Sequence, residues 1–548
     1  MKEIPVGIDD FKVVRENDYF YIDKTPFIEK IAKGVGKTFL FTRPRRFGKS
    51  LNMSMLGAFF EIMDAEQNKK YFQDLQIGNS GFFSEQGKYP VIYISLKDVK
   101  QRDWLGCLAK MKQKVREVFK NKSYIEKTLS EFDREDFFGI LKKEDDCVFE
   151  EALKFLCGLL YKHHRKKVVV LFDEYDTPII EAYHRKYYDE AVSFFRNLYG
   201  ALFKGNEYLH IGVLTGITRI AKEGIFSGLS NLVSDTVLDT GFEECFGLTE
   251  KEVCFALEAY ELGQTLPAVR EWYNGYRFGN ADVYNPWSIV NYLQKRETGA
   301  HWVNTSSNEL IYEVLKISEQ SIFSDLTALF SESATTEYIN KDMTFDNLTA
   351  QESLWTLLLA SGYLTVDAKL ENDLYRLRIP NKEVRSFFKD MFIGNFGATK
   401  TKTFYKVLSF LKQGKITGDN SFESNLQALF LARTSYFDLN EKENFYHVFM
   451  LGLLSGLEDE YIGRSNMESG HGRADLLLEP KDRRLPGFIF EFKVAASEKD
   501  LNKQLDMALR QIVEKKYAVP LREIGIKDVT GIAIAFHGKT LKVKYQAL

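Results

Sequence analysis

Val168-Val169-Val170-Leu171-Phe172 is apolar at every position. A strand with one face in water alternates apolar and polar residues. An unbroken apolar run with three β-branched members belongs instead inside a parallel sheet that helices cover on both sides. This segment therefore commits the first third of the chain to an α/β arrangement. Thr38-Phe39-Leu40-Phe41-Thr42, Val91-Ile92-Tyr93-Ile94-Ser95 and His210-Ile211-Gly212-Val213-Leu214-Thr215-Gly216 read as further strands, separated by helical patterns.

Two of these strands run into reactive sequence. After Thr42 comes Arg43-Pro44-Arg45-Arg46-Phe47-Gly48-Lys49-Ser50, with a helix expected from about Ser50 to Met63. Between a strand and a helix, backbone N–H groups and the helix N-terminus can cradle phosphates. Gly48-Lys49-Ser50 supplies the core of such a loop, with Lys49 expected on the β/γ-phosphates and Ser50 on Mg²⁺. The usual first glycine is replaced by Arg43, and the interior holds Pro44, Arg45 and Arg46, so the loop alone reads equally well as a basic surface turn. Gly36-Lys37-Thr38 precedes its strand and is rejected. The balance moves with Asp173-Glu174-Tyr175-Asp176, which follows the apolar run. Asp173 is expected to hold Mg²⁺ through water and Glu174 to polarise the attacking water. Thr218-Arg219, after the fourth strand, are candidates for sensing the γ-phosphate, against an ordinary loop. Arg46, Gly48, Lys49, Ser50, Asp173, Thr218 and Arg219 are thus the expected ATP and Mg²⁺ contacts.

A second constellation lies near the C-terminus. Gly472-Arg473-Ala474-Asp475-Leu476-Leu477-Leu478 is followed by Pro486-Gly487-Phe488-Ile489-Phe490-Glu491-Phe492-Lys493. Adjacent strands of this kind can bring Asp475, Glu491 and Lys493 together. Glu491 and Lys493 share a face with Ile489, opposite Phe488, Phe490 and Phe492. That placement suggests a half-buried pair, where charges have a partner or a metal. Two carboxylates can hold Mg²⁺, and a lysine beside them can orient a water. The plainer alternative is a turn aspartate and an exposed strand pair. A helix from Leu501 to Tyr517 and a strand Gly531–Phe536 complete an expected α-β-β-α-β order.

Between the two sites the pattern is helix (Gln351–Leu359), strand from Gly362, an Asn372-Asp373 turn, a return strand Leu374–Ile379 and helix (Lys382–Met391), the outline of a winged helix. No Lys or Arg occurs from Gln351 to Tyr363, so packing or a lid is expected rather than base reading. At 548 residues, several domains are expected. A formal net charge of -3 excludes a global basic footprint, so any nucleic-acid contact must be local. Cys107, Cys147, Cys157, Cys245 and Cys254 form no C-x-x-C pair, which argues against a zinc ribbon or a disulfide framework. With neither a signal peptide nor a membrane-length apolar run, a cytoplasmic protein is expected.

Tyr21-Ile22-Asp23-Lys24-Thr25, the Arg43–Ser50 loop, Phe172-Asp173-Glu174-Tyr175-Asp176, Trp272-Tyr273-Asn274-Gly275-Tyr276, Tyr284-Asn285-Pro286-Trp287-Ser288 and Ser465–Gly470 with Gly472–Asp475 together carry a resemblance. The chain resembles bacterial proteins that join an AAA-ATPase-like domain to a C-terminal nuclease domain of the PD-(D/E)XK superfamily. In that family Arg43 stands where glycine is usual. The resemblance implies an α/β fold with a P-loop NTPase domain over 1–275, a helical and winged-helix-like segment over 276–400, and a PD-(D/E)XK nuclease-like domain over 401–548. It adds Glu443 as a metal ligand beside Asp475 and Glu491. It also points to a Gln-x-x-x-Tyr pattern, from which this chain departs: Lys515 stands four residues after Gln511. ATP and Mg²⁺ are the implied cofactors and nucleic acid, DNA first, the implied partner; self-association is compatible with this. The alternatives are an ATP-dependent switch whose nuclease-like domain is a non-cutting binding platform, and a protein-interaction module in which neither site turns over.

Overall fold

A computed structural model of the chain describes residues 1–34, 36–142, 146–218, 226, 232–303, 329, 334–340, 351–394, 401–433, 443–457, 459–469 and 472–548. The chain divides into two compact units. The first is Met1–Ile317, Glu337–Arg376 and Pro380–Glu383; the second is Ser318–Thr336, Leu377–Ile379 and Val384–Leu548.

The first unit is built on a five-stranded parallel sheet. Its strands are β1 (Thr38–Thr42), β2 (Val91–Ser95), β3 (Val168–Asp173), β4 (Leu209–Gly216) and β5 (Leu232–Asp235), in the order β2-β3-β4-β1-β5. The run that reads as wholly apolar is wholly buried: every residue of β3 is inside. Helix α1 (Lys49–Phe60) leaves the β1 loop and lies on this sheet, its Gly57 facing Leu171 of β3. It starts one residue before and stops three before the stretch read from sequence. Met53, Met55, Leu56, Phe59 and Phe60 are all buried, so the helix is covered nearly all round, as a helix in an α/β layer is.

Beyond this sheet, strands Tyr276–Phe278 and Ala281–Tyr284 pair antiparallel and lead into helix α2 (Pro286–Lys295). Helix α3 (Gln351–Ala360), strands Thr365–Lys369 and Leu374–Arg378, and helix α4 (Lys382–Gly394) follow in the expected helix, hairpin, helix order. Asn372 and Asp373 carry the turn, both at positive φ (56° and 55°), which these two residue types tolerate best after glycine.

In the second unit, strands β6 (Tyr461–Ser469), β7 (Gly472–Pro480), β8 (Gly487–Val494), β9 (Val529–His537) and β10 (Thr540–Ala547) form one sheet in sequence order. All pairings are antiparallel except β8 with β9. A parallel pair needs a crossover, and helix α8 (Leu501–Glu514) provides it on one face. Helices α5 (Thr401–Lys412), α6 (Phe422–Arg433) and α7 (Glu443–Leu454) supply the core of the other. The alternation read in β8 is realised. Phe488, Phe490 and Phe492 pack among the side chains of α5, α6 and α7, while Ile489 packs with Leu501, Leu505 and Ile512 of α8. Strands β6 and β10 are additions to the expected α-β-β-α-β order.

Candidate functional sites

At the first site, β1 ends and Arg43 turns away, its N–H donating to the Gly216 carbonyl at the end of β4 (3.0 Å). Its guanidinium is fully buried. It donates to the carbonyls of Thr42 (2.9 Å) and Asp235 (3.0 Å), pairs with the Asp235 carboxylate, and lies 5.0 Å and 5.3 Å from the ring centroids of Phe246 and Phe278. Where a phosphate loop commonly opens with glycine, this one opens with a latch to the end of β5. Arg43→Ala leaves the Asp235 carboxylate buried without its cation, so it should cost about 3–5 kcal/mol. A fall in the chemical-denaturation midpoint of the full chain checks this.

The loop then folds back on itself. Gly48 sits at φ 83°, with nothing within 4 Å of where a Cβ would stand, so backbone conformation rather than space calls for glycine. Lys49 follows at the first position of α1 and is buried, its Nζ donating to the carbonyls of Arg43 (2.9 Å) and Pro44 (2.8 Å). It forms no ion pair among the described residues. Burial pushes its ammonium down to about 8, against the pull of Glu174, Asp173 and Asp176. Asp173 closes β3 only 1% exposed, accepting a hydrogen bond from Thr215 Oγ1 (2.6 Å), with the Ser50 hydroxyl near enough to favour its charged form; burial raises its carboxyl. Glu174 stands at φ 55° and accepts from Thr177 Oγ1 (3.1 Å).

Thr218 is buried with its hydroxyl on the Asp176 carboxylate (3.2 Å), which also takes the N–H groups of Ile217 (2.8 Å) and Thr218 (2.9 Å). That is a loop tie rather than a group turned to a ligand. Arg46 is exposed and stacks on Trp287. Arg219 lies outside the described residues. The structure therefore gathers Gly48, Lys49, Ser50, Asp173 and Glu174. A buried ammonium with no ion pair among the described residues, at the N-terminus of a 12-residue helix, fits a polyphosphate. The Ser50 and Asp173 oxygens fit the magnesium that accompanies one.

At the second site the β7–β8 register pairs Leu476 with Phe490. One step further along the two strands lie Asp475 and Glu491, close enough for the Asp475 charge to act on Glu491. There the ladder gives way to a side chain, the Phe492 N–H donating to Asp475 Oδ2 (2.7 Å). Glu491 is 1% exposed; its Oε1 accepts from Lys493 Nζ (2.8 Å), while its buried Oε2 has no hydrogen-bond partner among the described residues. Burial, helped by the neighbouring Asp475, pushes its carboxyl up to about 7, against the opposing pull of Lys493. An orphaned carboxylate oxygen beside a second carboxylate fits a hard divalent cation. Among the described residues this site has two carboxylates and no third metal-binding side chain. Glu443 opens α7, but its side chain lies outside the described residues.

Sequence reasoning missed Tyr517. Its hydroxyl donates to the Arg473 carbonyl (2.7 Å) and accepts from Gln511 Nε2 (3.2 Å), and it lies within electrostatic reach of Glu491, Asp475 and Lys493. A tyrosine thus does meet Gln511, six residues on and past the helix end, where helical spacing gives no signal.

Residues 5–226 match the family model described as "Predicted AAA-ATPase", and residues 441–546 match that of the PD-(D/E)XK nuclease superfamily. A protein of Azotobacter chroococcum mcd 1, described as "Uncharacterized protein in vnfD 5'region", is 27% identical over 549 residues, covering 96% of this chain and 94% of its own.

Proposed function

Since the chain carries an AAA-ATPase-like domain near its N-terminus and a PD-(D/E)XK superfamily domain at its C-terminus, we infer that it binds and hydrolyses ATP and cleaves nucleic acid, DNA first, with a divalent metal. The observation that carries the cleavage reading is Glu491, a buried carboxylate with one oxygen on Lys493 and the other without a partner among the described residues, beside Asp475.

Asp475 and Glu491 would hold the metal, which when bound supplies Lewis acidity and a more acidic water. The residues themselves do the rest. Lys493, tied to Glu491, is placed to orient the attacking water or steady charge growing on the phosphate. Phe492, through its N–H, fixes the Asp475 carboxylate against rotation. At the other site Lys49 offers its charge to the β/γ-phosphates, Ser50 and Asp173 would hold Mg²⁺, and Glu174 polarises the attacking water.

The test is cleavage of labelled single- and double-stranded DNA and RNA by the full chain, with and without ATP, in Mg²⁺, Mn²⁺ or Ca²⁺. Cutting in Mg²⁺ or Mn²⁺ supports the reading. A protein that binds no divalent metal and cuts nothing with ATP present overturns it in favour of a binding platform.

A pH dependence follows. Glu491 must lose its proton to accept a metal, and in the folded chain it does so at about 7 rather than 4.5. Below 7, apparent metal affinity should rise up to about tenfold per pH unit, then level off above it. The metal-free protein should lose stability as pH rises from 4.5 to 7, because over that window the folded state keeps a proton that the unfolded chain releases. Metal titrations at about pH 5.5 to 8.5 check the first statement, and denaturation in EDTA from pH 4.5 to 7 the second.

A further inference from the structure

The Tyr284-Asn285-Pro286-Trp287-Ser288 motif has no part in the chemistry above, yet it stands beside the phosphate loop. Asn285 caps α2, its Oδ1 accepting from the N–H groups of Trp287 (2.9 Å) and Ser288 (3.2 Å), with Pro286 pre-set for the first turn. Trp287 donates its indole Nε1–H to the His301 carbonyl (3.2 Å), which fixes the ring plane. The next residue, Ser288, donates its hydroxyl to Glu383 (2.7 Å), a buried carboxylate that also takes the Trp302 N–H. The indole is therefore mounted from both sides of the chain. One ring face receives the guanidinium of Arg46, 4.1 Å from the centroid, which is stacking distance. Arg46 is itself exposed and belongs to the phosphate loop, so the face it covers is within one side chain's reach of that loop.

A guanidinium and a nucleobase are both planar and both stack on indole. We propose that Trp287 is the surface on which the base of the bound nucleotide stacks, replacing Arg46, which swings toward the phosphates. The proposal rests on the nucleotide reading and adds the site for the base. Stacking is tolerant of base identity, so adenine and guanine nucleotides should differ little through this contact.

The experiment measures binding of a non-hydrolysable ATP analogue (AMP-PNP) and of inorganic tripolyphosphate to the full chain with Mg²⁺, by calorimetry and by tryptophan emission. Trp287→Ala should weaken the analogue about 10- to 100-fold and leave tripolyphosphate unchanged. Trp287→Phe keeps an aromatic face, so it should bind the analogue nearly as the wild type does, while losing the emission change that the analogue produces. Equal weakening of both ligands in Trp287→Ala, or of neither, overturns the proposal. So does a full emission change in Trp287→Phe, which serves alone should the alanine variant fail to fold. If wild type binds both ligands equally well, the base makes no contribution and the proposal falls while the nucleotide reading stands. A wild type that binds neither removes both.

Discussion

Asp475→Ala and Glu491→Ala will each abolish divalent-cation binding together with nucleic-acid cleavage, whereas Lys493→Ala will keep the cation and lose the cleavage. The two carboxylates are neighbours where the β7–β8 ladder ends, so each would supply an oxygen to the same small volume, and neither alone would hold Mg²⁺ against water. Lysine is not a ligand for a hard cation. Its ammonium, 2.8 Å from Glu491 Oε1, acts on the water or on the growing phosphate charge, and losing such a group costs about 10²- to 10³-fold in rate. Calorimetry with Mn²⁺ and a gel assay on labelled DNA read the two losses separately. Melting at pH 8 guards against misfolding: Glu491→Ala removes a carboxylate that burial already disfavours, so the variant should be no less stable. Three nearly silent substitutions would leave only an acidic patch.

The second large effect is at the phosphate loop. Lys49→Ala should weaken ATP about 10²- to 10³-fold, since the buried ammonium exchanges two neutral carbonyls for phosphate oxygens and gains charge-assisted bonds. Glu174→Gln should keep ATP within a few-fold and slow hydrolysis about 10²- to 10⁴-fold, because an amide cannot accept the water's proton. Binding of a labelled ATP analogue and phosphate release give the two readings. Wild-type affinity in Lys49→Ala would remove the loop assignment; full turnover in Glu174→Gln would remove the role of Glu174.

Much of this was legible because the signals are local. Four strands of the first sheet announce themselves as apolar runs, and the alternation of Phe488, Phe490 and Phe492 with Ile489, Glu491 and Lys493 names its faces before any coordinates are known. Two of the strands that were not legible are the edges of the second sheet. β6 reads Tyr-Ile-Gly-Arg-Ser-Asn-Met-Glu-Ser and β10 Thr-Leu-Lys-Val-Lys-Tyr-Gln-Ala, polar enough to pass for loop. Arg43 was illegible for another reason. Its partner Asp235 is 192 residues away, and only the fold decides that a basic residue in a loop is buried between two phenylalanines. Tyr517 escaped because its meeting with Gln511 depends on how the chain bends after α8, where no periodicity applies.

The Arg43 latch has a consequence for how ligands are received. A phosphate loop rich in glycine samples many conformations when empty and must surrender that freedom on binding. Here Arg43 is fastened to Asp235, Pro44 has a fixed φ, and Phe47 is fully buried against Tyr276 and Phe278, so the loop is anchored at both ends of its basic stretch. The ordering cost is met when the protein folds rather than when nucleotide arrives. Nucleotide association should then be fast and carry only a small entropic penalty from the loop, and the same rigidity should make the cradle selective for polyphosphates of one shape.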